Sequence, residues 1–194
     1  GELLPGQAVT IQGLIQHLSA GMTPVREALR RLIAEGALEA QGNRRISVPR
    51  LTRANVDELI FARQAIDQKL VFMATSNITK ANMAALTAED EALDRAIFAG
   101  NIPGYLQHNY RFHTMLYDIA DAPILRSVAL RMWLQFGPSL RVVCGRVGTQ
   151  NLVDEHKEVL AAMAEGDAER AAAAIRADVL QGMEQVRRTF DVSD

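Results

Sequence analysis

Four polar residues in the second half of the chain have types and spacings that could hold a divalent metal ion. Asn109 and His113 are four residues apart, so on a helix they share one face. His156 lies ten residues before Gly166, and Asp178 twelve after it. If Gly166 and Asp167 turn an antiparallel helix pair, a rise of about 1.5 Å per residue brings His156 and Asp178 to nearly the same level. Two imidazoles, a carboxylate and an amide oxygen can hold a divalent metal with positions left open for a ligand. The same side chains, satisfied by hydrogen bonds, would equally make a polar pocket with no metal. His17 and His108 stand apart from this set and read as ordinary surface or core residues.

A second group lies near the other end, in "GMTPVREALRRLIAEGALEAQGNRRISVP", Gly21 to Pro49. Arg26, Arg30, Arg31, Arg44, Arg45 and Arg50 stand against Glu2, Glu27, Glu35 and Glu39, so residues 1–50 carry +2. The rest of the chain holds 15 basic and 19 acidic residues, a net of −4. A clustered positive patch on an otherwise acidic chain is a local electrostatic footprint for nucleic acid. Arginines at the start of a helix lying in the major groove can bond guanine O6 and N7. Arg26 fits that role best, with Arg30 one turn further on the same face. Thr23 and the amides at the helix start can hold a phosphate. Asn43, Arg44 and Arg45 fall at a turn where they could reach the minor groove or backbone. The plainer alternative is a surface helix whose arginines pair with Glu27 or Glu35.

These groups need elements to position them. Val9, Ile11, Leu14, Ile15 and Leu18 are close to helical spacing and end at Gly21. Thr23 fits an N-cap with Pro24 at the first helical position, and Gly36 stops that helix. "ALEA" and "RRISVP" flank "QGN" as a short hairpin. From Leu51 on, no strand is convincing. About six helices follow, the first capped by Thr52, one restarting after Pro103, one interrupted around Gly137-Pro138, and the last two joined at Gly166-Asp167. The expected fold is therefore mainly α: an N-terminal winged helix-turn-helix over 1–50 with a small β-hairpin wing, and an all-α bundle over 51–194. Hydrophobic residues make up 48% of the chain, enough for a packed core. Cys144 is the single cysteine, so no internal disulfide forms, and a reducing, cytoplasmic setting is expected. No apolar run spans a bilayer, so no membrane partner is expected.

"TPVREAL", Thr23 to Leu29, resembles the recognition helix of the GntR family of bacterial transcription regulators. "NYRFHTMLYDIA" and "DEHKEVLAAMAEGDAERA" resemble the FadR-type C-terminal ligand-binding domain, called FCD, of that family. Six helices would place it nearer the VanR-like subgroup. The resemblance implies a homodimer on a palindromic double-stranded operator, and repression relieved by a small organic acid. Arg63 and Asp67 resemble the family's Arg-x-x-x-Glu pair, so Arg63 could grip a carboxylate, although an i,i+4 salt bridge would serve equally. The family's metal set is Asp, His, His, His; here Asn109 and Asp178 replace its first and last members. That makes a harder, weaker site, with Zn²⁺ or Ni²⁺ expected ahead of Mn²⁺. Gly21-Met22 stands where the family has Ser-Arg, which keeps open a metabolite sensor that no longer binds DNA. The family's first helix would fall before or around Glu2. A metal-dependent enzyme is a further alternative, but no His-Glu-x-x-His motif, nucleophile elbow or phosphate loop occurs, so no enzyme is expected.

Overall fold

The computed structural model describes residues 2–42, 45–148 and 155–191. A small head comes first. β1 (Ala8–Val9) leads into α1 (Ile11–Leu18), whose N-cap Thr10 accepts from the Gly13 amide at 3.0 Å. α2 (Met22–Ala34) follows, then β2 (Glu39–Gln41) and β3 (Arg45–Ser47). The hairpin pairs Glu39 with Ser47, Ala40 with Ile46 and Gln41 with Arg45. β1 adds to the other edge of β3, antiparallel, giving the order β1-β3-β2. Val9, Val25, Leu29, Leu38 and Val48 form the head's own core.

Three local expectations need correction here. Val9 is a strand residue, not part of the first helix. Gly6, at φ +79°, donates to the Val48 carbonyl at 2.8 Å, and Val48 donates back to Gln7, which draws this segment onto β3. Secondly, α1 ends at Leu18, with Ser19 in the left-handed region, rather than running to Gly21. Thirdly, α2 begins at Met22 with Gly21 as N-cap, so Thr23 is inside the first turn. Pro24 still costs no helical bond, because the first amide with a helical partner is that of Val25, bonded to the Gly21 carbonyl.

The remaining six helices of the described residues form the bundle: α3 (Arg53–Asn77), α4 (Lys80–Phe98), α5 (Ile102–Ile119), α6 (Pro123–Val147), α7 (His156–Glu165) and α8 (Ala168–Asp191). Helix α3 packs along α8 on one side and against α5 and α6 on others. Its buried positions therefore include polar residues, Arg63, Asp67 and Thr75, among Val56, Leu59, Leu70, Val71 and Ala74. Capping boxes start α3 (Thr52 with Asn55) and α4 (Thr79 with Asn82). Thr52→Ala is expected to cost about 1 kcal/mol, read as a lower urea midpoint with an unchanged slope.

Helix α6 is not interrupted at Gly137-Pro138; it runs through both residues. A proline inside a helix costs about 3 kcal/mol. Against that, Met132, Trp133, Phe136, Leu140 and Val143 of the same helix are buried. Each large apolar side chain contributes about 1.5–3 kcal/mol on full burial, so packing outweighs the local penalty.

Candidate functional site

The hairpin of α7 and α8 turns at Gly166, φ +74°, and sets His156 and Asp178 side by side. Helix α5 brings His113 to the same place. His113 Nε2 lies 3.1 Å from Asp178 Oδ2, and His156 Nε2 lies 3.7 Å from Asp178 Oδ1. One ligand atom from each of the three residues fits within a mutual 4.8 Å. Both imidazoles are fully buried, and Asn109, one turn before His113, is buried too.

The electrostatics suit cation binding. Burial pushes the His113 imidazolium down in pKa, and the bonded Asp178 only partly opposes it. Burial pushes the Asp178 carboxyl up, but the two histidines and the Glu155 amide outweigh this and hold it well below the usual carboxylate range. Neutral imidazole and ionised carboxylate are the forms that ligate metals. His113 Nδ1 is buried without a hydrogen-bond partner, a condition that costs about 1–3 kcal/mol and that a folded domain rarely tolerates without a further occupant or role. The donor set therefore fits a divalent metal.

Two further side chains adjoin this cluster. The Phe112 ring stacks on His156 at 3.8 Å with 14° between planes. Asp90, on α4, is 4% exposed and places Oδ1 3.5 Å from His156 Nδ1. Burial pushes the Asp90 carboxyl up, but His156 and Lys157 together hold it below its ordinary range.

Arg63 and Asp67 are both buried, and they form an intrahelical ion pair. Arg63 Nη2 and Nε reach the same Asp67 oxygen at 2.8 and 3.1 Å. The guanidinium also lies over the rings of Phe136 (4.2 Å) and Trp133 (4.9 Å). Trp133 Nε1 donates to the Tyr117 hydroxyl at 3.0 Å, and its ring centroid is 5.2 Å from that of His113. Trp133 thus joins the Arg63–Asp67 pair to the histidine cluster. As the chain's single tryptophan, it was the one member of this group that composition made conspicuous. His108 bonds Glu89 at 2.7 Å and His17 is exposed; neither belongs to the cluster.

On the head, Thr23, Arg26 and Arg30 are exposed on α2, and Arg45 is exposed on β3. Asn43 and Arg44 lie outside the described residues. Arg30 pairs with Glu27 at 2.9 Å, the two side chains 76% and 65% exposed. So open a pair is worth at most about 1 kcal/mol, too little to hold Arg30 from a nucleic acid. No helix among the described residues is long and apolar enough to cross a membrane.

Comparison with known proteins agrees with this arrangement. Residues 1–48 match the model for bacterial regulatory proteins of the gntR family, and residues 58–181 match the FCD domain. The chain is 28% identical over 172 residues to the HTH-type transcriptional regulator McbR of Escherichia coli (strain K12), covering 87% of this chain and 78% of McbR. It is 26% identical to the uncharacterized HTH-type transcriptional regulator YdhC of Bacillus subtilis (strain 168), covering 66% of this chain and 58% of YdhC. The solved structure of E. coli McbR/YncC superposes with a TM-score of 0.91 at 25% identity, over 98% of this chain and 91% of that one. A regulator from Rhodococcus sp. RHA1 shares the fold, with a TM-score of 0.76 at 17% identity, over 96% and 89%. These relatives are transcriptional regulators, which removes the metal-dependent enzyme from consideration. The chain belongs to the GntR family of DNA-binding bacterial transcription regulators, with an FCD domain as its helical part.

Proposed function

We propose that this regulator is a cytoplasmic homodimeric repressor whose operator is a palindrome and whose release is triggered by a small carboxylate held in the helical domain. Residues 1–50 act as the DNA-reading unit and 51–194 as the sensing and dimerising unit. Thr23 and the α2 amides hold phosphate, Arg26 and Arg30 read base edges, and Asn43, Arg44 and Arg45 of the wing track the backbone. His113, His156 and Asp178, with Asn109 beside them, hold a divalent metal, Zn²⁺ or Ni²⁺ ahead of Mn²⁺. A metal held there would supply Lewis acidity towards the effector's carboxylate, while Arg63 supplies charge from the α3 side.

The observation that carries this reading is the convergence of two buried imidazoles and a carboxylate from three helices, next to an aromatic-walled arginine. Effector binding alters operator affinity only through a difference in its affinity for the DNA-competent and DNA-incompetent arrangements.

Thermal unfolding of metal-stripped protein with added Zn²⁺, Ni²⁺ or Mn²⁺ tests the site. A metal at about 100 times its Kd stabilises by about 2.7 kcal/mol, a rise of roughly 5–10 °C for a domain of this size. His113→Ala should abolish the rise. An equal rise in wild type and variant, or none in either, would rule the site out.

A further inference from the structure

We infer that Asp90 is the positioning carboxylate of the histidine cluster: it accepts the Nδ1 proton of His156 and so presents that imidazole's Nε2 towards Asp178 and the metal. The inference rests on the metal-site reading above.

Helix α4 sends a stripe of apolar side chains into the bundle, with Leu86 and Leu93 fully buried and Ala96 nearly so. Asp90 occupies the buried position between Leu86 and Leu93, where that spacing calls for another apolar residue. Stability does not ask for a carboxylate there, since apolar replacements of buried ionic groups are often neutral or stabilising. Its surroundings show a different use. Oδ2 faces Lys157 Nζ at 3.4 Å, and Lys157 is itself held by Asp94 at 2.8 Å. Oδ1 remains, and it faces His156 Nδ1 at 3.5 Å.

The Phe112 stack fixes the plane of the His156 ring. A half-turn about the Cβ–Cγ bond keeps that plane and exchanges the ring's two edges, so it decides which nitrogen points at the cluster. A carboxylate at Nδ1 settles both the rotation and the tautomer, leaving the Nε2 lone pair 3.7 Å from Asp178 Oδ1. Ligating histidines commonly donate their second N–H to a carboxylate, and losing that partner typically costs about 10–100-fold in metal affinity. Asp90 touches no ligand position itself and acts through His156.

The test uses Co²⁺ as probe, with its visible absorption as readout, on metal-stripped full-length protein. Asp90→Leu removes the carboxylate and continues the apolar stripe; it should weaken Co²⁺ binding by about 10–100-fold. Asp90→Asn keeps an acceptor at Nδ1 and should recover most of the affinity. Asp94→Ala, which also loosens Lys157, should leave it unchanged. Imidazole ¹⁵N spectra of the metal-free wild type should show His156 protonated at Nδ1. Wild-type affinity in Asp90→Leu, or Asp90→Asn as weak as Asp90→Leu, would overturn the inference while the metal site stands. If wild type binds no Co²⁺, the site reading falls and takes this role with it. Should Asp90→Leu fail to fold, the wild-type tautomer decides: protonation at Nε2 would overturn the assignment.

Discussion

Arg26→Ala is expected to weaken operator binding by about 1–3 kcal/mol, the discrimination one bidentate arginine–guanine contact supplies, or roughly 5–150-fold in Kd. Arg26 is exposed in the first turns of α2, where a helix entering the major groove places its base-reading residues. The loss should be specific. Affinity for unrelated DNA should change little, and specificity should relax at one base pair in each half-site. Replacing Arg45, on the wing strand, should instead weaken binding uniformly and lower the salt dependence. Arg31, paired with Glu35 at 2.8 Å and 80% exposed, should matter least. Anisotropy titrations of labelled operator and scrambled duplex at two salt concentrations separate these cases. Equal losses on both duplexes for Arg26→Ala would show that this residue positions the helix without reading sequence.

Asp67→Ala is expected to be the most destabilising single change near the histidine cluster, at about 3–5 kcal/mol. Arg63 is 4% exposed and Asp67 fully buried, so removing the carboxylate strands a guanidinium whose remaining neighbours include the Trp133 and Phe136 rings. A cation–π contact contributes about 0.5–2 kcal/mol, too little to replace the lost partner. The double variant Arg63→Met with Asp67→Leu removes both charges and should recover most of the stability, because a buried ion pair returns little beyond its own desolvation cost. Urea unfolding reads the three proteins directly. The stable double variant then separates fold from function: it should bind metal but no longer respond to the carboxylate effector. A single variant within 1 kcal/mol of wild type would show that the pair is not held as the structure places it.

The parts of the fold legible in the sequence are those set by local chemistry. Thr52 caps α3, Gly166 adopts the left-handed turn between α7 and α8, and Glu39–Gln41 pairs with Arg45–Ser47 as a hairpin. What escaped was decided by distant packing. Two residues of β1 carry no periodicity, and only pairing with β3 makes them a strand. Pro138 reads as a break until the burial of Trp133, Phe136 and Leu140 is counted. Thr23-Pro24 satisfies the local rule for a cap, but α2 starts two residues earlier, and the Gly21–Val25 bond that starts it leaves no mark in side-chain type.

The cluster divides in the same way. Asn109 and His113 share a helix face by spacing, and the hairpin arithmetic brings His156 to Asp178. Asp90 belongs to another helix, α4, and only the folded bundle brings it to His156. Phe112 reads as one more core aromatic until the stack on His156 is seen.

Operator reading by α2 is the step on which the proposed function depends. The most direct measurement is selection of bound fragments from the source genome by full-length protein, with Arg26→Ala in parallel. Wild type should recover one palindromic site that the variant loses, and the operon beside it would point to the effector's chemistry. Recovery of the same fragments by both proteins, or of nothing specific by either, would contradict operator reading by α2.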